Sequence, residues 1–424
     1  MGALQSVLDG VKIPRMYMVE QRFESKPLSD IEGECRKQLL SLRGLGDLTP
    51  GAEVAVAVGS RGVASIDTIT KALVGALKER GLVPFIVPAM GSHGNATAEG
   101  QTELLAGYNI TADSMGCEVR SNMEVLEVGR LPNGLPVYID RMAAEADGII
   151  VVNRVKTHPG FDGNYESGIV KMLAIGLGNH IGATSCHQLG FGAMEENIVA
   201  MARIKIDKCP VLCGVAVIED AYDDVSEIHV LEPEAIFERE PSLLRTSKAN
   251  MASIGIQKID VLVVDQMGKD ISGDGMDPRI TGKYSTRFAT GGPEVNKLVV
   301  LSPTERSHGN VIGIGPADFT TQRLYEQVDF EATYTNAVTA TVSNAAKMPL
   351  VMNTDFDAIR AAIQTCNSLD LTSPRLVRIL DTLHLSRMMI SEALLEEVKS
   401  SLDVVSIEGP VEMTFTDGVV DPVF

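Results

Sequence analysis

Residues Val54–Pro88 read VAVAVGSRGVASIDTITKALVGALKERGLVPFIVP, and this stretch decides the fold class. Val54–Val58 is a short, wholly apolar run, the pattern of a buried strand. Ser65–Glu79 carries Ile66, Ile69, Leu73 and Leu77 at helical spacing. Pro84–Pro88 is a second short strand, ending in the glycine-rich loop Gly91–Asn95. Strands alternating with helices define an α/β class, which places its sites at the carboxyl ends of strands.

The same alternation continues outward. Thr97 can cap a helix running to about Ala106. Val125–Val128 and Pro136–Ile139 flank Pro132–Asn133–Gly134, a hairpin signal. Gly148–Val152 (GIIVV) is another buried strand, leading into the loop Asn153–Asn164. In the second half, Val261–Val264 and Leu298–Leu301 read as strands. Phe319–Val328, Glu331–Ala346 and Phe356–Ile363 read as helices. A chain of 424 residues exceeds what one core normally serves, so two α/β domains are expected. The charged segment Glu232–Arg245 precedes the new strand series and sets their boundary near Lys248, giving domains 1–247 and 248–424.

Composition narrows the class of function. With 45% hydrophobic and 22% charged residues the chain is an ordinary globular protein. A net charge of −19 argues against a nucleic-acid partner, whose phosphates it would repel. An anionic substrate then needs local cations to hold it. No apolar run approaches the length of a membrane span, and Lys12, Arg15 and Glu20 interrupt the first apolar stretch. Six scattered cysteines without a CxxC pair fit free thiols in a reducing cytoplasm.

Candidate chemistry gathers in the first half. Of seven histidines, four fall between positions 93 and 187. His93 and His158 each sit in a loop directly after a strand, and both loops are expected on one sheet edge. His180 and His187 follow in a glycine-rich segment. The run Glu166–Gly178 (ESGIVKMLAIGLG) sets Lys171 among apolar residues and glycines. Such a lysine either lays its stem on apolar surface with the ammonium in water, or presents a partly desolvated amine to a carbonyl carbon or an anion.

Two histidine loops, then Ser167–Gly168–x–x–Lys171, a glycine turn, and His187 sixteen residues after the lysine: this order resembles the nickel-pincer-nucleotide lactate racemase family. The resemblance implies two α/β domains with the active site and cofactor in the cleft between them. It implies that His93 and His158 are acid/base catalysts, and that Lys171 tethers the cofactor through a thioamide beside Ser167 and Gly168. It makes His187 the nickel ligand, with His180 in reserve. The cofactor would be nickel held by a pyridinium-3-thioamide-5-thiocarboxylic acid mononucleotide, built by dedicated biosynthesis proteins. Arg61, Gln266 and Lys269 match the family's substrate-holding positions. Arginine can bind both carboxylate oxygens, and lysine supplies a point charge. Taken alone, such an Arg61 is more often a surface ion-pair partner, and Gln266 with Lys269 an ordinary turn.

The implied reaction is racemisation or epimerisation of a 2-hydroxy acid by proton-coupled hydride transfer through a 2-keto acid. The family's acidic residue and threonine before Arg61 are replaced by Val58, Gly59 and Ser60, and its aromatic before Gln266 by Asp265. These changes touch substrate positions, so a hydroxy acid with a larger or more polar side chain, or a sugar acid, is as compatible as lactate. Three alternatives stay open. Gly176–Leu177–Gly178 and Gly313–Ile314–Gly315 could belong to a nicotinamide-dependent oxidoreductase, although neither completes G-x-G-x-x-G after a strand. His158, His180 and His187 could form a zinc site. A non-catalytic nickel or nucleotide carrier is the third.

Overall fold

The computed structural model of the chain describes residues 2–59 and 62–424. Two compact α/β units result: Glu24–Met251, and Met1–Phe23 together with Ala252–Phe424. This division differs from the expected 1–247 and 248–424. The boundary falls after Met251, and the first residues leave the unit that follows them. The cause is strand pairing. Met16–Gln21 lies between Arg387–Ser391 and Val404–Val411, antiparallel to both, which commits the amino terminus to the second unit. Among the described residues no helix is long and apolar enough to cross a membrane.

The Glu24–Met251 unit is built on a five-stranded sheet in the order Val83–Pro88, Glu53–Val58, Gly148–Arg154, Val211–Glu219, Val225–Leu231. The first four strands are mutually parallel and the last is antiparallel. The alternation in VAVAV has a structural reading. Val54, Val56 and Val58 point into one core layer with Ile69, Leu73 and Leu77 of the helix Ile66–Glu79. Ala55 and Ala57 point into the opposite layer, with Ile169, Val170 and Leu173 of the helix Ile169–Ala174. Both faces are covered, as a parallel sheet requires. The hairpin of Val125–Arg130 with Pro136–Asp140 lies outside this sheet.

The second unit is an eight-stranded mixed sheet whose parallel part runs Leu350–Met352, Phe319–Thr321, Glu294–Pro303, Lys258–Met267, Leu376–Ile379. Two helical expectations need correction here. Phe319–Val328 begins as a strand, Phe319–Thr321, and becomes helical only over Gln322–Tyr325. The hydroxyls of Thr320 and Thr321 donate to Val300 O (2.8 Å) and Leu301 O (2.7 Å), and tertiary pairing overrides the helical pattern. Glu331–Ala346 is two pieces, Phe330–Thr339 and a 3-10 turn at Ser343–Ala346, broken where Thr341 takes φ 58°.

Asp265, which stands where the resemblance calls for an aromatic, forms a two-pronged ion pair with fully buried Arg378, both contacts at 2.8 Å. An aromatic there would leave the guanidinium without its carboxylate. Arg378→Met should strand the Asp265 carboxylate and destabilise this unit by about 3–5 kcal/mol, whereas Asp265→Leu with Arg378→Met should recover most of that loss. Urea unfolding of both variants measures the difference, and equal destabilisation would show that the pair is not the cause.

Candidate functional site

Three parallel strands of the Glu24–Met251 unit end in register, with Val58 opposite both Pro88 and Val152. The loops carrying His93 and His158 therefore leave from one edge, on either side of the central strand. This is the switch point at which open α/β sheets bind ligands. Arg61 follows that central strand and lies outside the described residues.

At this edge opens a pocket lined by His93, Asn153, Arg154, Lys156, Ser167 and Lys171, with Met172 and Ile175 among its apolar walls. His93, Ser167 and Lys171 were expected from the sequence. Asn153, Arg154 and Lys156 were not. Their signal was available: polar and basic residues directly following a buried strand. Arg154 is paired with Glu219, itself buried. Asn153 donates through Nδ2 to Gly168 O at 3.1 Å.

The His93 loop is fixed from the following helix, Ala98–Gly107. Buried Gln101 donates to Gly91 O (3.1 Å) and His93 O (3.3 Å). Gly94 adopts φ +63°, and a Cβ there would stand 2.6 Å from Gln101 N. Only glycine permits that approach.

The His158 loop is closed by a bridge, Lys156 N to Ser167 O at 2.8 Å and Ser167 N to Lys156 O at 3.1 Å. Fully buried Glu166 organises its interior. It accepts from His158 N (2.7 Å) and Gly163 N (3.3 Å), and pairs with Lys248 at 2.6 Å. The His158 ring rests against Phe161 and Phe191, at centroid distances of 4.6 and 5.6 Å. His187 packs edge-on against the same Phe191, at a centroid distance of 5.8 Å.

Backbone partners dictate the tautomers of these two rings. Gly160 N donates to His158 Nδ1 at 3.0 Å, so the neutral ring carries its proton on Nε2. His187 Nδ1 lies 2.8 Å from Ala183 O, a pure acceptor, so this nitrogen carries the proton and Nε2 keeps its lone pair. Burial pushes the His187 pKa down, the nearby Lys171 charge adds to that, and the hydrogen bond to Ala183 opposes it. Burial thus favours the neutral form of this ring. His180 is exposed on the same helix, Asn179–His187, and is not part of the pocket lining. Among the described residues no three His, Cys, Asp or Glu side chains gather as a metal cage.

Lys171 sits on the six-residue helix Ile169–Ala174. Buried Glu240 accepts from Val170 N at 3.0 Å at one end. Buried Lys205 donates to Leu173 O (2.7 Å) and Ala174 O (3.1 Å) at the other. Gly168 is required for space, because a Cβ would stand 2.3 Å from Glu240 Oε1. Gly176 is required likewise, against Ala89 O at 2.6 Å.

Gln266 and Lys269 belong to the second unit, at the carboxyl end of Lys258–Met267. Gln266 is exposed and its N–H donates to Leu380 O (2.8 Å). Lys269 donates through Nζ to Gly273 O at 2.9 Å and through its backbone N to Ser307 Oγ at 3.0 Å.

Residues 46–197 match the model of the lactate racemase N-terminal domain. Over that stretch the chain is lactate racemase-like. The lactate racemase-like segment contains His93, His158, Lys171 and His187, and ends before Lys205 and Glu240. Among solved structures, the lactate racemase apoprotein from Thermoanaerobacterium thermosaccharolyticum is similar at 14% identity and TM-score 0.44, over 86% of this chain and 88% of that one. O-ureido-L-serine synthase is similar at 11% identity and TM-score 0.15, over 81% and 88%. Both likenesses are too remote to bear on function. No curated protein sequence matches the chain.

Burial raises the Glu240 carboxyl from 4.5 to about 7, against the pull of its backbone donors. The folded state thus keeps a proton that the unfolded chain releases earlier. The resulting contribution to stability is full below pH 4.5 and is lost as pH rises through about 7. Glu240→Gln cannot ionise, so its stability relative to the native chain should climb across that window. Urea unfolding at the two ends of the window tests this, and a constant difference between the two proteins would contradict it.

Proposed function

We propose that the chain is a racemase or epimerase of a 2-hydroxy acid that works with a nickel-pincer nucleotide attached to Lys171. One observation carries the reading. Within the lactate racemase-like segment, Lys171 and His93 line one pocket, and His187, at the end of the helix Asn179–His187, keeps its Nε2 lone pair.

The donor set fits that group. A metal already chelated by its nucleotide needs from the protein an amine for the link and one neutral imidazole, and Lys171 and His187 are those two groups. A zinc cage of His158, His180 and His187 fits less well. Phe191 stands against both His158 and His187, and His180 is exposed. The nicotinamide reading also weakens. Gly176–Gly178 is a 3-10 turn between two helices, not the turn after a strand that the phosphate-binding motif needs.

When bound, the nucleotide would supply a hydride acceptor for the hydrogen on the hydroxyl-bearing carbon. The chain's residues do the rest. His93, on the pocket wall, would take or return the hydroxyl proton, and His158 would offer its Nε2–H to the same oxygen from its own loop. Arg61, Gln266 and Lys269 would hold the carboxylate. Lactate, a hydroxy acid with a larger or more polar side chain, and a sugar acid are all candidate substrates. The reading implies a reducing cytoplasm and partner proteins that build the nucleotide.

Intact-mass measurement of protein made alongside the cofactor pathway should show an adduct that Lys171→Ala lacks. His187→Ala should keep the adduct and lose nickel. His93→Ala and His158→Ala should each lose at least roughly two orders of magnitude in turnover while retaining the adduct. Interconversion in heavy water should leave almost no deuterium on the inverted carbon, whereas carbon-proton abstraction by histidine would bring deuterium in. Activity in a preparation free of both nickel and cofactor would overturn the proposal, and a fully loaded protein that turns nothing over would favour the carrier.

A further inference from the structure

A six-residue helix has almost no interior. The first four N–H groups and last four C=O groups of any helix lack partners within it, so in Ile169–Ala174 nearly every backbone group depends on something outside. A helix this short is also not stable by itself in water. Backbone bonds from Met172 N to Gly168 O (3.0 Å) and from Ile175 N to Lys171 O (2.8 Å) tie the helix to the residues capping each end. Further holds on the ends come from elsewhere. Glu240, from the helix Pro233–Asn250, accepts from Val170 N. Lys205, from the helix Met194–Lys208, donates to the carbonyls of Leu173 and Ala174.

The signs are complementary to the helix: an acid at the amino end and a cation at the carboxyl end. Both side chains are essentially without solvent contact, Glu240 1% and Lys205 0% exposed. Taking such groups out of water is expensive, and apolar side chains of similar volume usually serve overall stability as well or better. What these two polar side chains add is a fixed placement of one helical turn, and that turn carries Lys171.

We propose that Glu240 and Lys205 are positioning residues that clamp the two ends of the Lys171 helix, so that the Lys171 amine is presented to the pocket at a fixed place for cofactor attachment. Neither touches the pocket, and neither falls within the matched racemase segment. The functional half of the inference rests on the reading of Lys171 as the tether. The structural half stands without it.

The experiment compares the native chain with Lys205→Met, Glu240→Met and Lys205→Arg, using Lys171→Ala as the adduct-free blank. Three quantities are measured: the thermal unfolding midpoint, amide hydrogen exchange over residues 169–175 in the apoprotein, and adduct occupancy by intact mass after production alongside the cofactor pathway. Lys205→Met should keep its midpoint within about 5 °C, while exchange over 169–175 quickens at least about tenfold. Adduct occupancy should fall several-fold, and Lys205→Arg, which keeps a donor and a charge, should restore part of both. If Lys205→Met does not fold, Glu240→Met carries the same comparison from the opposite end. Unchanged exchange over 169–175 in the folded apolar variants overturns the clamp. Faster exchange with native adduct occupancy overturns its role in attachment. A native chain that takes up no adduct overturns the tether reading, and exchange alone then decides the clamp.

Discussion

Everything at this site depends on a helix too short to hold itself. Ile169–Ala174 presents Lys171, yet most of its peptide groups have no partner within the helix. Glu240 and Lys205 supply those partners from two separate helices, and both remain buried to do so. Their burial disfavours both charges, pushing Glu240 up and Lys205 down to about 7. The local field of the helix works in the other direction at each end. The arrangement is therefore specific to this backbone segment: neither side chain could move far without leaving an orphaned group in the core.

Around that helix the sheet sets the geometry. Small residues at Ala55 and Ala57 face the layer that contains it, and the larger valines face the opposite helix. At the carboxyl edge the His93 loop, the strand end at Asn153 and the loop residue Lys156 reach one pocket. Each loop is tied internally by a buried polar side chain, Gln101 for one and Glu166 for the other. For Glu166, the contacts that satisfy the buried carboxylate are the same ones that place the loop.

The pocket also answers a question raised by the composition. A chain of net charge −19 repels anions at long range, yet the pocket wall carries Arg154, Lys156 and Lys171. Under the proposed reading, an anionic substrate would be held at short range by these few cations. The surrounding negative charge serves solubility.

The sequence by itself determined the α/β class, because the periodicities of VAVAV, GIIVV and the helix between the first two strands are local properties of the chain. It also marked His93, Lys171 and Ser167 as residues to examine, since strand ends and an apolar-flanked lysine are visible in a short window. Three things needed the tertiary structure. Met16–Gln21 joins the second unit because its partners begin more than 360 residues later, at Arg387 and Val404. Phe319–Thr321 is a strand because a neighbouring strand supplies its ladder, against its own helical pattern. Glu166, Lys205 and Glu240 looked like ordinary charges on their own segments, and only packing shows which peptide groups they satisfy. Local pattern reports which face of an element is apolar. It carries no record of which distant backbone group a buried charge will meet, because that partner is chosen by the fold as a whole.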